Sequence, residues 1–324
     1  MSARRLVMAL LAAIAALTIG VAVGSAPLAL PAVWEGLVRS DAPTSAIVRE
    51  LRVPRVLLAF LVGGGLGLTG AALQALVRNP LADPYLLGLS GGAGLGAVLA
   101  IAAETGSPWA VPLSAFAGAV GAVALVYRLS VVGGRRLDPR VLLLAGVVVG
   151  AFAAAVMSAI IVLSDAPQLR NAFLWLLGGF SAASWEALQL FAAYAIVPLG
   201  ALLLSARALD LLALGEETAV HLGADVEQVR RRVYLAASLL TAASVATCGI
   251  IGFVGLVVPH AVRRVWSPLH RVLLPGAFMA GGTFLVLADA LARSVLRPIE
   301  LPVGVVTALV GVPLFALLLR RSLA

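Results

Sequence analysis

Long apolar runs recur from one end of this chain to the other, separated by short polar breaks, and they constrain its fold more than any other feature. A helix needs about 20 apolar residues to cross the hydrocarbon core of a bilayer, and it satisfies its own backbone donors and acceptors there. Residues 6–26, 56–77, 86–103, 110–132, 141–163, 187–205, 233–251, 272–291 and 302–319 read as such spans, and 255–265 as a shorter one. With 62% hydrophobic and only 12% charged residues, the chain lacks the polar groups to cover a soluble surface. The reading is an all-α integral membrane protein of about ten transmembrane helices, built as one domain over 1–324.

The first run follows Arg4 and Arg5 and imitates a signal peptide, but it exceeds the usual 7–15 residue core of one. A retained first helix is expected. With the N-terminus in the cytoplasm, sixteen of the 23 basic residues fall inside and seven outside, the bias that sets orientation. Both termini are then cytoplasmic. The outer exceptions are Arg39, Arg49, Arg52 and Arg55 before the second span, Arg170, and Arg293 and Arg297 after the ninth. Single arginines there suit headgroup anchoring. Clustered at two sites, they suggest a positive surface for an acidic partner. Asp289 stands four residues before Arg293, the spacing of a helical ion pair.

The basic residues are all arginine. Without lysine there is no Walker-type phosphate loop, so any ATP would be bound by another chain. The arginines flank apolar runs rather than forming one basic face, which argues against nucleic acid. Cys248 is the single cysteine, and His221, His260 and His270 are scattered, so no metal site is expected.

Gly92, Gly94 and Ala97 fit the dinucleotide pattern G-x-G-x-x-A. No strand–helix alternation surrounds them, and no acidic residue follows about 20 positions on. The stretch reads instead as a membrane-edge turn through Arg78, Asn79, Pro80, Asp83 and Pro84. A stripe of Gly88, Gly92 and Gly96 follows it. Gly63 with Gly67 and Gly146 with Gly150 repeat that spacing, which lets helices approach closely in lipid. The longest polar stretch, 211–232, holds an expected short helix after Gly215, with Glu216 and Glu217 in its first turn. Leu214, Ala219, Val220 and Leu222 give it an apolar side, and Gly223 a stop. Such a helix at the membrane edge suits docking into a partner's groove.

Four motifs carry a family resemblance: LRVPRVLLAFLVGGGLGLTGAALQALVRNPLADPYLLGLSGGAG, LLALGEETAVHLGADV, GFVGLVVPHAVRR and ELPVGVVTALVGVPLFALLL. They resemble the permease subunits of ABC importers for ferric siderophores, haem and cobalamin. The resemblance implies a type II importer permease in the bacterial inner membrane, with two copies around a shared path. Two ATPase subunits would bind ATP and magnesium below, and an extracytoplasmic substrate-binding protein would dock above. This chain would hold no cofactor and no metal and would catalyse nothing itself. ATPase coupling then falls on Leu214, Gly215, Glu216, Glu217, Ala219, Val220, Leu222 and Gly223, within a cytoplasmic segment at about 206–232. Binding-protein docking falls on Arg52, Arg55, Arg293 and Arg297, and the cytoplasmic gate on Asn79, Leu81, Leu137 and Asp138. Relatives can carry small hydroxyl residues where Leu137 and Asp138 stand. The fifth and tenth spans would line the path. Arg170, Phe173, Trp175 and Phe180 are placed near the outer mouth.

Two other readings compete. An ion-coupled transporter needs carboxylates within the bundle, and only Asp289, Glu186 and Glu300 lie near spans. An intramembrane enzyme would draw on His260, Ser158 or Ser244, which no spacing brings together.

Overall fold

The computed structural model of the chain describes residues 3–26, 28–104, 106–132 and 136–323. Its helices are α1 (Ala3–Ala22), α2 (Leu30–Val38), α3 (Val53–Val77), α4 (Leu89–Ala102), α5 (Ala110–Ser130), α6 (Pro139–Val162) and α7 (Ala166–Leu176). They continue as α8 (Trp185–Leu204), α9 (Ala206–Ala213), α10 (Glu216–His221), α11 (Val226–Cys248), α12 (Val254–Val265), α13 (His270–Ala292) and α14 (Val303–Leu323). A minimal antiparallel pairing of Val131–Val132 with Arg136–Leu137 bridges α5 and α6.

Among the described residues, six helices are long and apolar enough to cross a membrane: α1, α3, α5, α6, α8 and α13. Three of the other expected spans differ. At 14 residues α4 reaches only about 21 Å, because a 3-10 turn at Pro84–Leu87 and a left-handed Gly88 (φ 75°) occupy the start of the expected run. Gly88 therefore caps the helix instead of joining its glycine stripe. Helix α12 has 12 residues, α11 starts at Val226 and carries Arg230–Arg232 ahead of its apolar part, and α14 (Val303–Leu323) follows the expected run at 302–319. The sequence reading left out α2 and α7, and it began the second span late. A π turn over Ile47–Arg52 runs straight into α3, and Pro54 stands at the junction of the two. Arg49, Arg52 and Arg55 thus project from one helical segment.

The core is organised around α3, whose most apolar window is 83% buried between α13, α11 and α12. Small residues make this possible. A methyl on Gly63 would overlap the carbonyl of Gly281, and one on Gly70 the carbonyl of Gly255. Gly92 and Gly96 meet Gly118 and Ser114 in the same way, locking α4 onto α5. Such approach gains the dispersion contacts that hold helices together where lipid removes any hydrophobic preference. By contrast α6 is only 28% buried and turns Leu144, Val148 and Phe152 outward, as α14 does Leu309 and Val312.

Candidate functional site at the two ends of the bundle

The end assigned to the cytoplasm is built from helix termini. At the end of α3, Arg78 adopts a left-handed conformation (φ 54°), and Asn79 N–H donates to the Gln74 carbonyl at 3.1 Å, closing the helix in a Schellman-type turn. Asn79 Oδ1 then accepts from Leu81 N–H at 2.9 Å. Asp83 Oδ1 accepts from Tyr85 N–H at 2.9 Å, and burial pushes its carboxyl up to about 6, against that hydrogen bond. Across from this turn, Asp138 caps α6, its Oδ1 accepting from Arg140 N–H at 2.8 Å and Val141 N–H at 3.4 Å. An acidic residue at this position satisfies the donors that a hydroxyl would otherwise cap.

Asn79, Leu137 and Asp138 line one cavity of about 780 Å³, together with Arg78, Arg140, Glu216 and Arg230. The gate residues read from sequence therefore converge, except Leu81, which points away and is exposed. The coupling residues divide. Leu214, Val220 and Leu222 face outward, whereas Ala219 is fully buried and belongs to the packing of α10 onto the bundle. The helix starts after Gly215 (φ 116°) and stops at Gly223 (φ 83°), as its sequence suggested. Glu217 is exposed. Glu216 pairs with Arg230 and lies 3.5 Å from Arg78. Sequence reasoning missed the roles of Arg78, Glu227 and Arg230, whose partners are distant in the chain.

At the outer end the arginines are spent on the protein itself. Arg52 is 5% exposed and donates to the carbonyls of Val21, Ala22 and Ala26 at 2.9, 2.9 and 2.6 Å, closing the end of α1. Arg55 pairs with Asp289 and with Glu300, both at 2.9 Å. Arg293 pairs with Asp289 at 2.9 Å, the expected i,i+4 contact, and donates to Val23 and Gly20 carbonyls. Arg49 closes α2 through the Gly36 and Leu37 carbonyls. Of the expected docking charges, Arg52, Arg55 and Arg293 are therefore engaged within the protein, as the desolvation of a cation requires. Arg297 alone of the four docking candidates is exposed.

Beside this cluster lies a cavity of about 600 Å³ lined by Arg55, Asn171, Trp175, Phe180, Cys248 and Glu300, among others. Of the expected mouth residues, Trp175 and Phe180 line it, whereas Arg170 and Phe173 point outward. Asp289 is fully buried between two arginines, so it is no free proton or ion carrier. Ser244 and Ser158 hydroxyls donate to carbonyls of their own helices. No group of three His, Cys, Asp or Glu side chains that could hold a metal occurs among the described residues.

A multi-pass helical bundle with polar turns around a cavity at one end and a charged cluster at the other is the form of a membrane permease. The model of the FecCD transport family matches residues 10–321, and the chain belongs to that family. It is 39% identical to the ABC transporter permease protein YvrB of Bacillus subtilis (strain 168), covering 94% of this chain and 90% of that protein. Identity is 43% both to the cobalamin import system permease protein BtuC of Halobacterium salinarum (85% and 73% covered) and to the hemin transport system permease protein HmuU of Yersinia pestis (84% and 83%). Among solved structures, an inward-facing conformation of a metal-chelate type ABC transporter superposes with a TM-score of 0.89 at 32% identity, covering 98% and 99% of the two chains.

Proposed function

We propose that this chain is the permease subunit of an ATP-driven importer that moves an intact iron chelate, a ferric siderophore or haem, or cobalamin across the bacterial inner membrane. The family match along nearly the whole chain carries this reading. Both termini lie in the cytoplasm. Two copies meet along the outward-facing apolar sides of α6 and α14, and a smooth apolar wall suits a bulky chelate, since a bare cation would need oxygen or nitrogen ligands. Separate ATPase subunits bind ATP and magnesium and receive the exposed side of the coupling segment, with Leu214, Val220 and Leu222 entering their groove. An extracytoplasmic binding protein delivers cargo to the outer rim. There Arg297 meets its acidic residues directly, while Arg52, Arg55 and Arg293 hold the rim in shape.

In vesicles holding the assembled permease, ATPase and binding protein, cargo uptake is expected to require ATP hydrolysis and to survive an ionophore that collapses ion gradients. Glu216→Arg combined with Leu222→Asp is expected to abolish uptake without lowering expression. Uptake by the chain alone, or uptake lost with the gradient, contradicts the proposal.

A further inference from the structure

The cavity between the two gate turns is crossed by a short chain of charged contacts that the transport reading does not require. It begins on α10, where the Glu216 carboxylate pairs with Arg230 of α11 and lies 3.5 Å from Arg78, the cap that leads from α3 into the first gate turn. It continues on α11. Glu227 Oε1 accepts from the Leu137 N–H at 3.1 Å, and the Arg230 guanidinium reaches the Leu137 carbonyl at 3.5 Å. Leu137 is thereby held at both polar groups of its backbone by two side chains three residues apart, which share one face of a helix. The residue is itself buried at 1% exposure and stands directly before the Asp138 cap of α6.

We infer that Glu216, Arg230 and Glu227 are positioning residues that carry displacement of the coupling segment to both gate turns at once, to Arg78–Asn79 through Glu216 and to Leu137–Asp138 through the α11 pair. This rests on the permease reading above. Burial gives the link its stiffness. Arg230 is 7% exposed, so its charge cannot separate from Glu216 without a desolvation cost, and α10 cannot shift without moving Arg230 or stranding it. The contact with Arg78 is half-exposed on both sides and correspondingly weak. The first gate turn is therefore the more loosely driven of the two.

The test measures cargo transported per ATP hydrolysed by the complete complex in vesicles. Glu227→Ala removes the acceptor for Leu137 N–H, and transport per ATP is expected to fall roughly tenfold while hydrolysis continues. Glu227→Gln keeps an acceptor oxygen and is expected to restore most of it. A role in folding alone would lower transport and hydrolysis together, and that outcome overturns the inference, as does an unchanged ratio. Should Glu227→Ala fail to assemble, the half-exposed pair decides. Glu216→Gln and Arg78→Ala should each lower the ratio, and the double variant should lower it no further than Glu216→Gln alone. Independent, additive losses overturn the link to the first turn. The permease reading is judged separately, by whether the unaltered complex pumps with ATP at all.

Discussion

Arginine does opposite work at the two ends of this molecule. At the outer end Arg52 and Arg293 are buried and Arg55 is 13% exposed, and each donates to backbone carbonyls or to carboxylates. Four segments are bound there: the end of α1, the start of α3, the end of α13 and the approach to α14. At the inner end Arg78 and Glu216 are both nearly half exposed and sit on a turn and on a six-residue helix, while Glu216's second partner, Arg230 on α11, is buried. A buried charge needs its partner in every conformation, whereas a hydrated one can exchange it for water at little cost. The outer cluster is suited to hold a rim, the inner one to change shape.

The contrast is broken most severely at Asp289. Asp289→Ala leaves Arg55 and Arg293 facing each other in the interior, and a loss of about 3–5 kcal/mol is expected from breaking such a buried pair. Thermal unfolding in detergent, followed by loss of the monodisperse species, measures it. A change under about 1 kcal/mol, the size typical of exposed pairs, would show that water reaches the cluster and erase the distinction.

A smaller effect is expected from acidity at the inner turn. The Asp83 carboxyl is raised from 3.8 to about 6 by burial, so between those values the folded state binds more protons than the unfolded one. Stability must then fall as pH rises across that window and level off above it. Asp83→Asn, which retains the cap, should remove this part of the slope. An unaltered profile between pH 4 and 6 in that variant would assign the slope to other groups.

Smallest of the three is the cap on α6. Asp138→Ala is expected to cost about 1 kcal/mol, seen as a modest drop in unfolding temperature. A loss comparable to that at Asp289 would mean that the inner turn is held as rigidly as the outer rim.

Much of the architecture was legible in the chain. Apolar runs placed most of the long helices to within a few residues, because the length of a span is set by bilayer thickness, but they missed α2 and α7 and the early start of α11. The small residues at Gly63, Gly67, Gly92 and Gly96 foretold close packing, and Gly215 and Gly223 bounded the coupling helix. Misreadings occurred where a local pattern had two solutions. Gly88 has the spacing of a stripe but serves as a left-handed cap, since the preceding prolines break the helix first. Ala219 has the polarity of a docking face but lies inside. The arginines of the R-x-P-R stretch were visible as charges, while their burial was not.

From its sequence alone, then, the chain is committed to lipid and to helices, because a continuous apolar run of about 20 residues satisfies its own backbone hydrogen bonds there only when helical, whereas barrel strands would alternate apolar and polar residues. The motifs likewise carry its membership of the FecCD family. What tertiary structure decided is which charges remain available. Arg55 meets Asp289 across 234 positions and Leu137 meets Glu227 across 90. No periodicity encodes contacts between residues so far apart, since they exist only once the helices have packed.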